Sequence, residues 1–359
     1  MARRDLLLLA AGIAAAAAAA GLAIRLGKGT VDSEGGPAAR PPVPSVPPVR
    51  RGFPSLVLPP GLPPPAAAAL REAHAALAAG TRDEAARVLA SLAVPDAAGP
   101  VAPVAAKALE ALAPALEWMI AEGAAQDLAG PAMEAAAGLA RRGGLEGKRV
   151  LERTGLVDTA FALQAATGPP DLRRQAALLM GFVATDRAVG WLVALLGKAA
   201  ETEVREAAAA ALGEAFRVNG RLPPEAVLGL KAALEAPGSP PAVRRACLGA
   251  LREAFDLAAP YGIVDGAVAA LADPDPGTRQ AAADLFFAHP AAAAGTALAA
   301  RAAAEPEERI LATVADALGA MRPAPPGAAV ALERRLPDLR DPAALEAVRR
   351  AIGSLRAPR

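Results

Sequence analysis

Glu203–Phe216 reads EVREAAAAALGEAF. Val204, Ala208, Ala211 and Leu212 recur at i, i+4, i+7 and i+8, the spacing of one face of an α-helix. Glu203, Glu206 and Glu214 fall outside that stripe. A helix this short and this rich in Ala buries little apolar surface alone. Related phrases recur on either side: DLRRQAALLMG from Asp171, AVRRACLGAL from Ala242 and GTRQAAADLF from Gly277. Recurrence of this kind predicts a stacked array, in which each unit covers its neighbour's apolar side.

Working outward, six helix pairs are predicted from residue 155 on. First helices fall near 156–167, 186–198, 223–236, 261–272, 293–304 and 325–336. Their partners fall near 171–184, 202–217, 240–256, 276–288, 306–320 and 341–355. The turns between them carry Pro, Gly and Asp, as in Gly168-Pro169-Pro170, Asp273-Pro274-Asp275-Pro276 and Asp341-Pro342. Several second helices open with an Arg, followed by small and aliphatic residues: Arg173, Arg205, Arg244 and Arg279.

This arrangement resembles the HEAT family of armadillo-like α-solenoids, particularly its short bacterial versions. The resemblance implies an all-α fold: a right-handed α-solenoid of about six HEAT-like pairs, residues 155–359, following an irregular helical region. It also implies that the four Arg residues join neighbouring repeats through acids near the turns. Asp171, Glu203, Asp273 and Asp275 are the candidates. Leu311 and Leu345 stand at the Arg position of the last two pairs, which read as a divergent cap. Stacking at 8–10 Å per helix step would give an arc on the order of 50–60 Å, with second helices on its inner face.

Residues 66–154 are read as a helical region, with a break at Gly80 and helices shortened or kinked by Pro114 and Pro131. AHAALAAGTRDEAARVLASL resembles the middle of a single degenerate tetratricopeptide-like helix pair. Trp118 and Met119 read as core. Arg141, Arg142, Lys148 and Arg149 gather around a Gly-rich stretch, either as a solvated loop or as a contact for an acidic partner. GGLEGKR does not have the spacing of a phosphate-binding loop.

The N-terminal region, residues 1–28, contains nineteen uncharged residues from Leu6 to Ile24. As a helix this segment would span roughly 28 Å, close to the bilayer core. Leu6, Leu7, Leu8, Leu9, Ile13, Leu22 and Ile24 favour insertion by roughly 2–4 kcal/mol together. Arg3 and Arg4 precede it. An uncleaved single-pass anchor with the body on the exported side is one reading. A cleaved export signal, leaving a secreted or periplasmic protein, is another. Residues 29–65 form a Pro-rich linker with twelve prolines from Pro37 to Pro65, in which polyproline II should dominate.

Formal net charge is +1 and aromatic content is 3%, so neither composition nor charge points to nucleic acid. Cys247 is the single cysteine, expected to be buried and inert, and His74 and His289 are the two histidines. No zinc spacing, nucleophile elbow, dinucleotide fingerprint or His-Glu pair occurs. No cofactor, metal or catalytic residue is therefore expected. The function expected from sequence is a non-enzymatic, membrane-anchored scaffold that binds another protein. The alternative is an exported accessory subunit of an enzyme system.

Overall fold

A computed structural model describes residues 52–79, 82–93, 102–122, 127–165 and 168–357. The proposed membrane segment, Leu6 to Ile24, lies outside the described residues. Among the described residues no helix is long and apolar enough to cross a membrane.

Every described regular element is helical. The first helices are α1 (Pro64–Ala79), α2 (Arg82–Ala93), α3 (Ala102–Glu122), α4 (Ala129–Arg153), α5 (Leu156–Ala165) and α6 (Pro170–Val183). They are followed by α7 (Asp186–Lys198), α8 (Thr202–Asn219), α9 (Pro224–Glu235), α10 (Pro241–Glu253), the single turn α11 (Phe255–Ala258) and α12 (Ile263–Ala270). The chain continues with α13 (Pro276–Ala288), α14 (Gly295–Ala304), α15 (Glu308–Ala320), α16 (Ala328–Arg335) and α17 (Pro342–Arg356). It divides into two compact units, one ending at Leu179 and one beginning at Met180.

In the second unit the helices alternate between two layers. The pairs α7–α8, α9–α10, α12–α13, α14–α15 and α16–α17 pack across the layers. Helices α8, α10, α13, α15 and α17 also pack in succession along one layer. In the other layer α7 packs on α9, α9 on α12, and α14 on α16, with the turn Ala292–Ala294 between α12 and α14.

Local chemistry explains where these helices begin and end. Pro224, Pro241, Pro276 and Pro342 each open a helix, where the missing amide is not needed. The Asp275 carboxylate accepts from the Thr278 amide at 2.7 Å, and Asp341 accepts from Ala343 at 2.9 Å. Gly220, at φ +66°, ends α8 in the left-handed region. The stripe predicted for α8 is its buried face: Val204, Ala208, Ala211 and Leu212 are all at most 1% exposed.

The Ala content has a packing consequence. A Cβ added at Gly181 would lie 2.7 Å from the Ala211 carbonyl oxygen and 2.9 Å from its Cα. At Gly213 it would lie 3.0 Å from Ala250 Cα, and at Gly319 3.2 Å from Ala351 Cα. Glycine on one second helix thus meets alanine on the next, and backbones approach closely where larger cores would interpose side chains.

The Arg ladder differs from step to step. Arg244 reaches forward to Asp273 in the next turn, with Nη2 to Oδ1 at 3.0 Å, and also donates to the Ser239 carbonyl. Neighbouring Arg245 pairs with Asp275 at 2.9 Å. Arg279 makes a two-pronged contact with Glu305, 2.9 Å on each prong, and donates to the Asp273 carbonyl at 3.0 Å. Glu305 was not among the expected acids, yet Glu305-Pro306-Glu307 repeats the pattern Asp273-Pro274-Asp275. Both first acids stand three residues before their helix, α15 or α13. Each accepts the amide two residues on, at 3.1 and 2.8 Å. Arg205 has no acid at the corresponding place in the next turn, which is Gly238, and instead donates to the Leu196 carbonyl at 3.0 Å. Glu203 is exposed. Where Arg becomes Leu311, the acid position before α17 is Leu339, so both polar partners are absent together. There the carboxylate of Glu308 accepts from the Arg340 and Asp341 amides.

The first unit follows the same alternation, including residues 66–154, which were expected to be irregular. Helix α1 packs on α3 and α3 on α5, while α2 packs on α4. Helices α1–α2 and α3–α4 pair across the layers. Gln175 of α6 hydrogen-bonds to Glu134 of α4. Helix α3 runs through Pro114, whose side is exposed. The Gly-rich stretch read as a loop is a sharp bend inside α4 at Gly144, φ +57° and ψ −137°. Only glycine takes this conformation freely.

Candidate interaction surface

The second-helix layer of the second unit carries an open cleft between α8 and α10, with a volume of about 520 Å³. Ala210, Gly213, Ala246, Gly249 and Ala250 form its floor. Glu214 and Arg217 stand on one wall, Arg252 and Glu253 on the other. The floor exists because α8 and α10 meet through Gly213 and Ala250, leaving no long side chain to fill the space above.

Each wall carries one cation and one anion already paired. Arg217 Nε donates to Glu214 at 3.0 Å, and Arg252 contacts Glu253 at 3.0 Å. The hydrogen bond that Arg217 donates to Glu214 raises the Arg217 pKa above its usual value, with the Glu214 charge acting in the same direction. Arg217, Arg252 and Glu253 are well exposed and Glu214 is partly covered, so their pairing contributes little to stability and can be exchanged for contacts with a partner. Below the cleft, His289 Nε2 donates to the Arg252 carbonyl at 2.8 Å, and its ring stacks on Phe255 at 4.6 Å. That bond holds the end of α10.

A smaller cleft of about 260 Å³ lies at the loop end of the layers, lined by Ala184, Asp186, Val189, Asn219, Arg221, Leu222 and Pro223. Asn219 Nδ2 donates to the Ala184 carbonyl at 2.7 Å, fixing a non-glycine residue at φ +51°.

The other sequence candidates sit elsewhere. Arg173 stands at the fourth residue of α6, Arg205 bonds to the Leu196 carbonyl, Arg244 and Arg279 reach acids near the next turns, and Arg279 is only 7% exposed. Arg141, Arg142, Lys148 and Arg149 lie on α4, two on each side of the Gly144 bend. Lys148 pairs with Glu152 at 3.6 Å and Arg149 with Glu146 at 3.1 Å. Burial lowers the Arg142 pKa. The basic run is thus laced with acids of its own helix. No group of three or more His, Cys, Asp or Glu is placed to hold a metal among the described residues. The sequence missed the α8–α10 cleft because it consists of small residues, whose common signature is a helix contact.

Cys247 lies on α10 and is 0% exposed. Burial pushes its thiol pKa up to about 12, against the weaker pull of the Arg205 charge. The reactive thiolate is therefore scarce at neutral pH. Native protein at pH 8 is expected to leave a thiol reagent unreacted over hours, and to react stoichiometrically once urea unfolds it. Rapid labelling of native protein would show that this part of α10 opens easily.

No family model and no curated protein matches the chain. Among solved structures, it is similar to the crystal structure of an engineered protein from a structural genomics consortium. The TM-score is 0.44 and the identity 19%, covering 76% of this chain and 74% of that one.

Proposed function

We propose that the chain is a non-enzymatic interaction scaffold, a HEAT-like right-handed α-solenoid that binds another protein on its second-helix face. The observation that carries this reading is the α8–α10 cleft. Its Gly and Ala floor lets a backbone approach closely, and its walls offer one cation and one anion each. Such a surface suits a polypeptide segment of mixed charge. The uncharged N-terminal segment and the prolines after it support a tether that holds the body at the exported side of a membrane.

Gly249→Arg tests the cleft. A Cβ at Gly249 meets nothing within 4 Å, so the long side chain fills the cleft without disturbing the core. Tagged full-length protein is purified from gently solubilised membranes of its own host, and its companions are identified by mass spectrometry. A stoichiometric protein is expected with the original chain and at least tenfold less with Gly249→Arg, while the melting temperature stays the same. A companion retained equally by both would move the binding face elsewhere. Absence of any companion would remove the scaffold reading.

A further inference from the structure

Residues 52–63 form no helix, yet they are held against the first unit at several points. The Phe53 ring lies 5.2 Å from the His74 ring and meets the Trp118 ring edge-on at 5.3 Å. His74 Nε2 donates to the Pro54 carbonyl at 2.8 Å. Lys107 Nζ donates to the Pro60 carbonyl at 2.8 Å and to the Gly61 carbonyl at 3.1 Å. His74 belongs to α1, while Lys107 and Trp118 belong to α3. The segment therefore occupies the groove between two packed helices.

The chemistry of the segment explains this mode of binding. FPSLVLPPG, residues 53–61, contains three prolines, which accept hydrogen bonds but cannot donate them. Gly61, at φ +74°, follows Pro60, the Pro-Gly order of a type II turn. That turn brings two successive carbonyls to one ammonium group. From Ser55 to Leu58 exposure alternates: Leu56 and Leu58 are half-buried, whereas Ser55 and Val57 are exposed. One aromatic anchor, alternate apolar side chains and main-chain carbonyls received by donors are the elements by which extended proline-rich peptides are recognised.

We propose that the α1–α3 groove is a binding site for an extended proline-rich peptide, occupied in cis by the chain's own residues 53–61. The strap masks the site and ties the Pro-rich segment to the helical body. An intramolecular ligand on a short connection is present at millimolar effective concentration, so the site stays closed to weak competitors. Release of the strap opens it to a peptide of the same kind.

The test uses full-length protein and a fluorescent peptide of residues 50–63. In the strap variant, Phe53, Leu56 and Leu58 are each replaced by Ser. This variant is expected to bind the peptide at least tenfold more tightly than the original chain does, with unchanged helical circular dichroism. Adding His74→Ala and Lys107→Ala to the strap variant should remove that binding. Equal peptide binding by the original chain and the strap variant would overturn the proposal. A second measurement does not depend on the triple variant. Lys107→Ala alone, a change at an exposed side chain, should speed thermolysin cleavage at Leu56–Leu58 at least tenfold at an unchanged melting temperature. Unchanged cleavage would show a strap not held by the groove, and a concentration-dependent dimer with exchanged straps would overturn the assignment in cis.

Discussion

Arg279→Ala is expected to destabilise the second unit by about 3–5 kcal/mol, because it leaves a buried carboxylate without its main partner. Glu305 is 0% exposed, and Arg279 supplies both prongs of its fork. Arg301, at 3.1 Å, is the remaining cation. Replacing both members, Arg279→Leu with Glu305→Leu, should cost less than the single change, since the buried carboxylate goes with its partner and only Arg301, whose side chain is 16% exposed, loses an acid. The chain itself uses that solution one repeat later, where Leu311 and Leu339 stand at the two positions. Urea unfolding followed by circular dichroism measures both. A single change costing under about 1 kcal/mol, the range of exposed pairs, would show that water reaches the pair.

The same pair sets a pH dependence. Burial acts to raise the Glu305 pKa, but the Arg279 hydrogen bond, the Glu307 amide and the charges of Arg301 and Arg279 outweigh it. The carboxyl is held below the ordinary value of about 4.3. The folded state therefore binds this proton more weakly than the unfolded state. The stabilisation is present above about pH 4.3 and is lost as pH falls through the lower folded value. Removing Arg279 takes away the largest of the influences that oppose burial, so Glu305 takes up its proton at higher pH in the variant than in the original chain. The stability gap between the two proteins should be widest above pH 5 and should narrow in acid.

Gly181→Val should have the second large effect, a loss of about 1–3 kcal/mol or more from overpacking. The new Cβ meets the backbone of Ala211, which cannot swing aside as a flexible side-chain end could. Relief requires the backbone at Gly181 to move away from that at Ala211. Gly181→Ala should also destabilise. Gly190→Ala provides the opposite sign: nothing lies within 4 Å of its added Cβ, and Ala gains up to about 1 kcal/mol of helix propensity. Thermal unfolding of the three variants gives the comparison. A stabilising Gly181→Ala would mean that α6 and α8 do not approach as closely as the Gly–Ala contact requires.

Much of the architecture was legible in one dimension. Helix type, the alternation of first and second helices after residue 155, and most boundaries follow from periodicity and from Pro, Gly and Asp at the turns. Helix α7 was expected at 186–198 and α13 at 276–288, and both have those ends. These properties depend on neighbours within a few residues, which the order of amino acids states directly. The burial of Cys247 was legible for the same reason, since its neighbours Ala246 and Leu248 place it on an apolar stretch.

Other features required the chain to fold back on itself. Arg205 and Arg279 look alike in sequence, but one meets the Leu196 carbonyl near the end of α7 and the other a buried Glu305. The difference lies in residues about thirty positions away, and the matching pattern around Glu305 acquires meaning only when the helices are stacked. The alternation in residues 66–154 was hidden by long helices and by a bend at Gly144, where glycine signals a loop and a kink equally well. The α8–α10 cleft and the strap groove are products of packing. Alanine and glycine determine locally that helices can approach, while the space left above them, and the chain that lies in it, depend on which helices meet.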